Sequence, residues 1–445
     1  MGGVNIDKIS KYQDVNPANS SRKKQLSSIL SRGWVQSLFS LLVGLYLPVF
    51  LFYQINVIGP RFFTSIQPTI VSSAIAIVGG LIVFRKMASL PGSLAQTKVV
   101  PAFLLTYGVI AIIAFGCRIE LSRNLFLLSF TCVVVFQILF QYLLSYTQLP
   151  KIGVISGGKA DDLLNITKFN WITIETVAEA KKYSDLPLVV DFSSSSISTD
   201  WEYFLADEIV SGRKVFSAKK LLESVTGKVQ IDMITENSMG HFELDIIYSP
   251  IKKIIDFFVA FLTLCILGPL VFIPLSIAIR LDSRGPAIFK QKRIGYRGRS
   301  FTVYKFRSMH VNLEGDEGSL NTDITLSDDP RITRVGKFIR KTRMDELPQL
   351  YNVLRGEMSL IGPRPETIQL SNWYADEISF YGYRHIVKPG ITGWAQVNLG
   401  HVTSIEEVRE KMEYDFYYIK HFSVWLDLTI ILQTIKVMIT GSGSK

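Results

Sequence analysis

The feature that most constrains this chain is a set of long apolar runs. Four of them crowd its first third: Trp34–Gln54, Ile66–Phe84, Val99–Cys117 and Asn124–Tyr146. Each is close to the ~20 residues that carry a helix across the hydrocarbon core of a bilayer. Inside that core a chain must satisfy its backbone groups internally, so these runs predict four transmembrane helices. Pro48 and Pro68 start or kink helices there, which membrane helices tolerate. The connections set the orientation, because basic residues stay in the cytoplasm. Arg22, Lys23, Lys24 and Arg32 precede the first run, Arg85, Lys86 and Lys98 separate the second from the third, and Lys151 and Lys159 follow the fourth. The opposite side holds Arg61, Arg118 and Arg123. The amino terminus and everything after Tyr146 are therefore expected in the cytoplasm, and the polar first thirty residues predict no cleaved signal peptide.

Composition agrees. Of 445 residues 48% are hydrophobic and 19% charged, with a net charge of +10. Such a chain is too oily for disorder and unsuited to a wholly soluble globule. An oily, basic chain points to a membrane protein held against anionic lipid or phosphate-rich ligands. Nucleic acid is not an expected partner, because long apolar segments do not serve its binding. Cys117, Cys132 and Cys265 lie inside apolar stretches with no zinc spacing, and read as buried small hydrophobes. No HExxH appears, so a zinc hydrolase lacks support, and Ile6 stands where a myristoylation site needs Ser or Thr.

From Lys151 to about Asp245 the sequence turns soluble. Ile152–Ile155, Trp171–Ile174 and Leu186–Asp191 read as short buried strands, with a helix over Thr176–Tyr183 between two of them. This alternation predicts a small parallel α/β unit. Gly153, Gly158 and Lys159 reproduce most of a phosphate loop. Ala160, however, stands where a hydroxyl should ligate magnesium, and a tight strand-to-helix turn accounts for the glycines.

A fifth run, Ile254–Ile279, carries Gly268-Pro269 at its middle and Pro274 beyond. Proline removes a helix hydrogen bond and clashes with the preceding turn, so a bend is expected at Pro269. Lys252 and Lys253 flank one end. Arg280, Arg284, Lys290, Lys292, Arg293, Arg297 and Arg299 follow the other, with Asp282 among them. Basic clusters at both ends place both in the cytoplasm, so the helix dips into one leaflet and returns; a fifth straight span is the alternative. The last run, Trp425–Thr440, is interrupted by Asp427 and Lys436 and reads as an interfacial or core helix.

The chemistry lies between these last two runs. Arg331 to Arg343 holds six basic residues and no acid, and Asp345-Glu346 then stand side by side. A solvated basic helix is the bland account. A carboxylate pair among cations also suits a polyphosphate with a divalent metal, with one carboxylate holding magnesium and the other free to react. On a helix at about 100° per residue, Leu347, Leu350, Tyr351 and Leu354 form a packed stripe and Asp345 points away from it. Pro348 fits a helix beginning near Asp345. Lys305 and Arg307 alternate with Tyr304 and Phe306, the period of a strand with one basic face, and two cations on one face can contact one substrate diphosphate. Arg364, stiffened between Pro363 and Pro365, suits a preorganised phosphate contact.

Several stretches recur here as motifs: Phe289-Lys290-Gln291-Lys292-Arg293-Ile294-Gly295, Tyr304 to Met309, Asp329 to Gly336, Met344 to Leu350, Gly362 to Pro365, and Pro389 to Val397. In these motifs and their order, the region from Tyr248 onward resembles the bacterial sugar transferase family, the monotopic polyprenyl-phosphate hexose-1-phosphate (phosphoglycosyl) transferases. The whole chain resembles the long form of that family. The resemblance implies a membrane protein of mixed class with four segments. These are a cytoplasmic segment over 1–33, a four-helix transmembrane bundle over 34–147, a small α/β Rossmann-like domain without ligand over 148–246, and an α-rich catalytic domain over 247–445 with a re-entrant helix 254–279. It implies that Pro269 breaks that helix and that Asp345 attacks the β-phosphate of a UDP-sugar. UMP then leaves, and undecaprenyl phosphate takes the phosphosugar from the aspartate. Glu346 would bind Mg2+, and Lys305, Arg340 and Arg364 would contact phosphates or nucleotide. The expected partners are a UDP-sugar, undecaprenyl phosphate and inner-membrane lipid, with homodimerisation left open. Many family members have Gly-Arg after the Gln-Val-Asn segment, whereas Leu399-Gly400-His401 follow Asn398 here, so that arginine's role does not carry over. Neither His401 nor Glu406 acquires a role. Two rivals are a glycosyltransferase that moves the sugar alone and releases UDP, and a membrane organiser without catalysis.

Overall fold

The computed structural model describes residues 33–55, 60–88, 98–147, 151–166, 169–194, 197–231, 248–310, 329–399 and 404–440. These fall into two compact units, with the division between Lys220 and Leu221.

The first unit opens with α1 (Gly33–Leu41), a π turn over Leu42–Tyr46, α2 (Leu47–Ile55), α3 (Pro60–Ala88), α4 (Val99–Gly116) and α5 (Arg123–Thr147). The apolar runs thus fold as helices, and Pro68 lies inside α3. Where such helices meet, polar side chains bond one another or backbone carbonyls. Gln36 donates to Gln137 over 2.9 Å, and the hydroxyls of Tyr107 and Ser129 pair at 2.9 Å. Ser129 in turn donates to the Gly44 carbonyl in the π turn.

The α/β part follows: β1 (Lys151–Ile155), β2 (Asn170–Ile174), α6 (Val177–Lys182), β3 (Leu188–Val190), α7 (Thr199–Val210) and β4 (Val215–Ser217). All four strands are parallel, in the order β2-β1-β3-β4. Three of them match the apolar stretches seen in the sequence. The fourth is short and half-exposed, which left it without a sequence signal. Thr176 caps α6 by accepting from Glu179 N. The glycine-rich turn after β1 is already filled: the Asp191 carboxylate accepts from Lys159 N over 2.9 Å and from the Ser193 backbone and hydroxyl. Gly158 sits at φ +60, and a Cβ there would lie 2.5 Å from that carboxylate. Burial would raise the Asp191 carboxyl, but the donated hydrogen bonds bring it below the ordinary value. The next helix, α8 (Ala218–Thr226), leads out of this part.

The second unit contains α9 (Tyr248–Leu267), a π turn over Gly268–Phe272 and α10 (Ile273–Asp282). Pro269 therefore lies in a π turn between two α-helical stretches. A π turn bonds residues i and i+5 in place of i and i+4, so it marks an irregularity in the helix. Among the described residues, five helical stretches are long and apolar enough to cross a membrane, and Tyr248–Asp282 is the longest, at 35 residues. The chain continues through β5 (Ile288–Ile294), β6 (Ser300–Phe306), α11 (Arg334–Lys341), a 3-10 turn over Met344–Glu346, α12 (Gln349–Leu354), β7 (Ser359–Ile361) and α13 (Ile368–Glu377). It ends with β8 (Gly390–Thr392), α14 (Trp394–Asn398), α15 (Ile405–Lys420) and α16 (Val424–Thr440). β5 and β6 form an antiparallel ribbon in which Lys305 faces Phe289 across the register, and β7 and β8 pair in parallel.

Three apolar clusters organise this unit. Phe416, Tyr418, Trp394, Leu426 and Ile430 belong to the largest, which Val229 and Ile231 also join. The two halves of the broken helix serve the other clusters. Ala260 of α9 packs with Val303, Leu350 and Val353, and Ile279 of α10 packs with Phe306 and Ile339. At the foot of α9, Lys252 and Tyr248 donate to Asp427, which also accepts from Tyr418, while Ser359 donates to Asp256. At the end of α10, Asp282 accepts from Val335 N over 2.9 Å and so caps the start of α11. The stretch Tyr248–Asp282 is thereby tied at its start to α16, α15 and β7 and at its end to α11.

Candidate active site

Three separate elements bring cations to the carboxylate pair, and a strained residue presents the pair to them. Arg343 adopts the left-handed conformation at φ 56, costly for a residue with a Cβ. It reverses the chain between α11 and the 3-10 turn Met344–Glu346, after which Pro348 starts α12. Asp345 and Glu346 therefore sit on a tight turn just before the helix and not within it. The packed stripe differs in one member: Leu347, Leu350 and Leu354 turn inward, whereas Tyr351 is exposed beside Tyr304, their ring centroids 5.5 Å apart.

Glu346 is buried at 7% exposure. It accepts from Arg364 Nη1 over 2.9 Å and lies 3.7 Å from Arg343 Nη1. Asp345 is different: its Oδ1 is shielded from water and has no hydrogen-bond partner among the described residues. A shielded carboxylate oxygen without a donor is costly, and it is also unencumbered as a nucleophile. Burial raises the Asp345 carboxyl above the usual range, and the neighbouring Glu346 charge raises it further, against Lys305, Arg364 and Arg340. For Glu346 burial also acts upward, but Arg364, Lys305 and Arg343 outweigh it and hold the carboxyl low. Two adjacent acids are thus driven apart, a pattern that separates roles. Lys305 is pushed well below the ordinary lysine range by burial and by the charges of Arg293 and Arg364. Arg340 turns inward from α11 with its Nη1 buried and without a partner among the described residues, within the electrostatic reach of Asp345.

Lys305, Arg340 and Arg364 thus converge on the pair. Arg307 does not join them. β6 ends at Phe306, so the two-residue period that put Lys305 and Arg307 on one face stops there, and Arg307 N pairs with Ala287 O. Its guanidinium is buried and donates to Arg284 O over 2.8 Å, Ser283 O over 2.6 Å and Ser283 Oγ over 2.9 Å. Its expected phosphate contact gives way to a clamp on the end of α10.

The Arg364 loop is set by close backbone packing. Gly362 and Gly390 approach so nearly that a Cβ on Gly390 would lie 2.0 Å from Gly362 N, and one on Gly362 would lie 2.3 Å from Lys388 O. This joins the Gly362–Pro365 and Pro389–Val397 motifs physically and explains their glycines. Sequence pattern alone gives no individual site role to Arg343, Arg293 or Arg384. Arg343 carries no left-handed signal by residue type, and the other two are distant in sequence. Gly400 and His401 lie outside the described residues; Glu406 sits in the first turn of α15.

No group of three or more His, Cys, Asp or Glu side chains that could hold a metal occurs among the described residues. Two hard carboxylates can nevertheless hold magnesium when substrate phosphates complete its shell. The charge arrangement, with cations around an acid pair, fits a diphosphate with such an ion.

Residues 247–441 match the family model described as bacterial sugar transferase. The chain is 37% identical over 372 residues to the UDP-N-acetylgalactosamine-undecaprenyl-phosphate N-acetylgalactosaminephosphotransferase of Aeromonas hydrophila, covering 82% of this chain and 85% of that protein. A UDP-glucose:undecaprenyl-phosphate glucose-1-phosphate transferase of Escherichia coli K12 is 43% identical over 187 residues, 42% of this chain and 39% of its own length. One of the same name from Caulobacter vibrioides is 39% identical over 195 residues, 43% of this chain and 71% of its own length. With the family model and the similarity over 82% of the chain in agreement, the chain belongs to the bacterial sugar transferase family.

Proposed function

We propose that this chain transfers a sugar 1-phosphate from a UDP-sugar to undecaprenyl phosphate, an early membrane step in polysaccharide synthesis. The observation that carries this reading is Asp345 Oδ1: shielded, without a hydrogen bond among the described residues, and surrounded by Lys305, Arg340 and Arg364. In the first step Oδ1 attacks the donor's β-phosphorus, the bond from that phosphorus to the bridging oxygen breaks, and UMP departs with the electron pair. In the second, an oxygen of undecaprenyl phosphate attacks the same phosphorus and Asp345 is released as carboxylate. Because nucleophile and diphosphate are both anionic, attack requires neutralised phosphate oxygens and fixed geometry. Lys305 and Arg340 supply charge, and Arg364 supplies a directed guanidinium that Glu346 orients. Glu346 and the donor phosphates would hold Mg2+, which would neutralise diphosphate charge.

The lipid acceptor stays in the bilayer, so the acids must be brought to its surface. The break at Pro269 and the basic residues at both ends support a helix that enters one leaflet and returns to the cytoplasmic side of the inner membrane. The same reading treats the N-terminal helices as a four-helix transmembrane bundle and the parallel sheet as a Rossmann-like domain without nucleotide.

Donor alone should add the mass of a phosphosugar to the Asp345 peptide and release UMP, and Asp345→Asn should do neither. Release of UDP in place of UMP would support a transferase that moves the sugar alone. Full activity in Asp345→Asn would remove the nucleophile.

A further inference from the structure

Arg364 meets Glu346 through its side chain, but its main chain is held by groups outside the acid pair. The four successive carbonyls from Pro363 to Glu366 are each taken by a donor. Pro363 O accepts from Gly390 N over 2.9 Å and Glu366 O from Ile294 N over 3.0 Å. Arg364 O accepts from Arg384 Nη2 over 2.8 Å, and Pro365 O accepts from Arg293 Nη1. Two of the four donors are therefore guanidinium groups, aimed at the carbonyl of Arg364 itself and at the next.

Arg384 is 3% exposed, and burying its charge costs free energy unless it is paired. Its Nη2 also bonds Asp415 over 2.9 Å, its Nη1 bonds the Tyr381 hydroxyl over 2.7 Å, and Glu366 lies 3.9 Å away. Glu366 is further held by Lys411. An apolar residue of similar volume would fill this place with less desolvation, but it could not hold a carbonyl. The loop borders a small cavity lined partly by Ile294, Val387 and Pro389. It could shift if that bond were absent.

We infer that Arg384, backed by Asp415 and seconded by Arg293, is a positioning residue that sets the Arg364 main chain so that its guanidinium is aimed at the donor diphosphate. The inference rests on the reading of Arg364 as a phosphate contact. Arg384 touches no substrate and acts only through the Arg364 carbonyl. A simple structural ion pair would affect folding but would not depend on the Arg364 side chain.

That dependence is measurable as a double-mutant cycle on kcat/KM for donor, run on folded full-length protein in nanodiscs with thermal melting recorded alongside. Arg384→Met alone should lower kcat/KM by about 10²-fold, the effect of misplacing a clamp by about 1 Å. In an Arg364→Gln background the same change should cost less than about twofold, because no guanidinium remains to be aimed. Arg384→Lys should recover part of the loss. If Arg384→Met does not fold, Asp415→Asn and Arg293→Gln enter the same cycle and should show the same non-additivity. Equal losses in both backgrounds would overturn the inference while leaving the transferase reading intact. If wild-type protein forms no UMP from any UDP-sugar, that reading fails. If Arg364→Gln keeps full activity, the phosphate role of Arg364 fails and takes this inference with it.

Discussion

Lys305 and Arg307 are two residues apart, yet the structure gives them opposite tasks, and substitution by methionine should separate the two. Arg307 ties the end of β6 to the end of α10 through the carbonyls of Ser283 and Arg284. A hydrogen bond from a charged donor contributes about 1.5–3 kcal/mol, and a buried carbonyl left without a donor costs about 1–3 kcal/mol. Part of the loss is returned because the guanidinium no longer needs desolvating. A net destabilisation of about 2–4 kcal/mol is expected for Arg307→Met. At about 2–4 °C per kcal/mol for a unit of this size, its melting temperature should fall by about 5–15 °C. Donor KM for the fraction that remains folded should stay within about twofold, because the guanidinium points away from the acids. Lys305→Met should do the reverse: activity lost, with the melting temperature changed little, since burial and two nearby arginines already oppose its charge. Differential scanning of both variants, with donor kinetics on the folded protein, decides the matter. An Arg307→Met variant that melts with wild type but raises donor KM tenfold would show that Arg307 binds phosphate.

Other perturbations bear on the same geometry. Turnover should follow a bell-shaped pH profile. Asp345 must be ionised to attack and its carboxyl is raised, so activity climbs with pH above the ordinary carboxylate range. Lys305 must be charged and is lowered, so activity declines before the ordinary lysine range; an acid limb near pH 4, the ordinary carboxylate position, would contradict the first assignment. Gly390→Ala places a Cβ 2.0 Å from Gly362 N and should displace the Arg364 loop, costing about 10²-fold in kcat/KM along with a lowered melting temperature. Unchanged kinetics in that variant would mean that the two motifs need not pack so closely. Cysteines replacing Lys253 and Arg284 should both react with a membrane-impermeant reagent from the cytoplasmic face; reaction from opposite faces would make Tyr248–Asp282 a full span.

Much of this arrangement was legible in the sequence because it follows from local rules. Apolar length marked the long helices, proline marked the π turn that holds Pro269, and a run of cations ending in two acids marked Asp345-Glu346, which the fold surrounds with cations. What escaped was decided by tertiary context. The strand period assigned Arg307 to the face of Lys305, but a period holds only while the strand lasts, and β6 stops one residue earlier. Helical periodicity placed Tyr351 in the packed stripe, while a cluster with Tyr304 and Arg355 keeps it at the surface. Arg343 gave no hint of positive φ, because residue type favours that conformation in Gly or Asn and only the fold imposes it on arginine. Of the phosphate-loop glycines Gly158 forms a turn, whereas Gly153 lies within β1, and Asp191, more than thirty residues away in sequence, fills that turn.

In the proposed topology the bilayer and the chemistry are joined by the broken helix. α9 packs through Ala260 on α12 and β6, which carry or follow Lys305 and the acid turn, while α10 packs through Ile279 on α11, which carries Arg340. Asp282 caps α11 directly, and Arg307 locks the end of α10 to β6. In that topology a bend at Pro269 would keep both ends of the helix on one side, while α9 and α10 pack on the elements that carry the cations around Asp345. A nucleophile fixed in this way sits at the depth set by the helix in the lipid. A polyprenyl phosphate, whose headgroup depth the same bilayer sets, can then meet it without leaving the membrane.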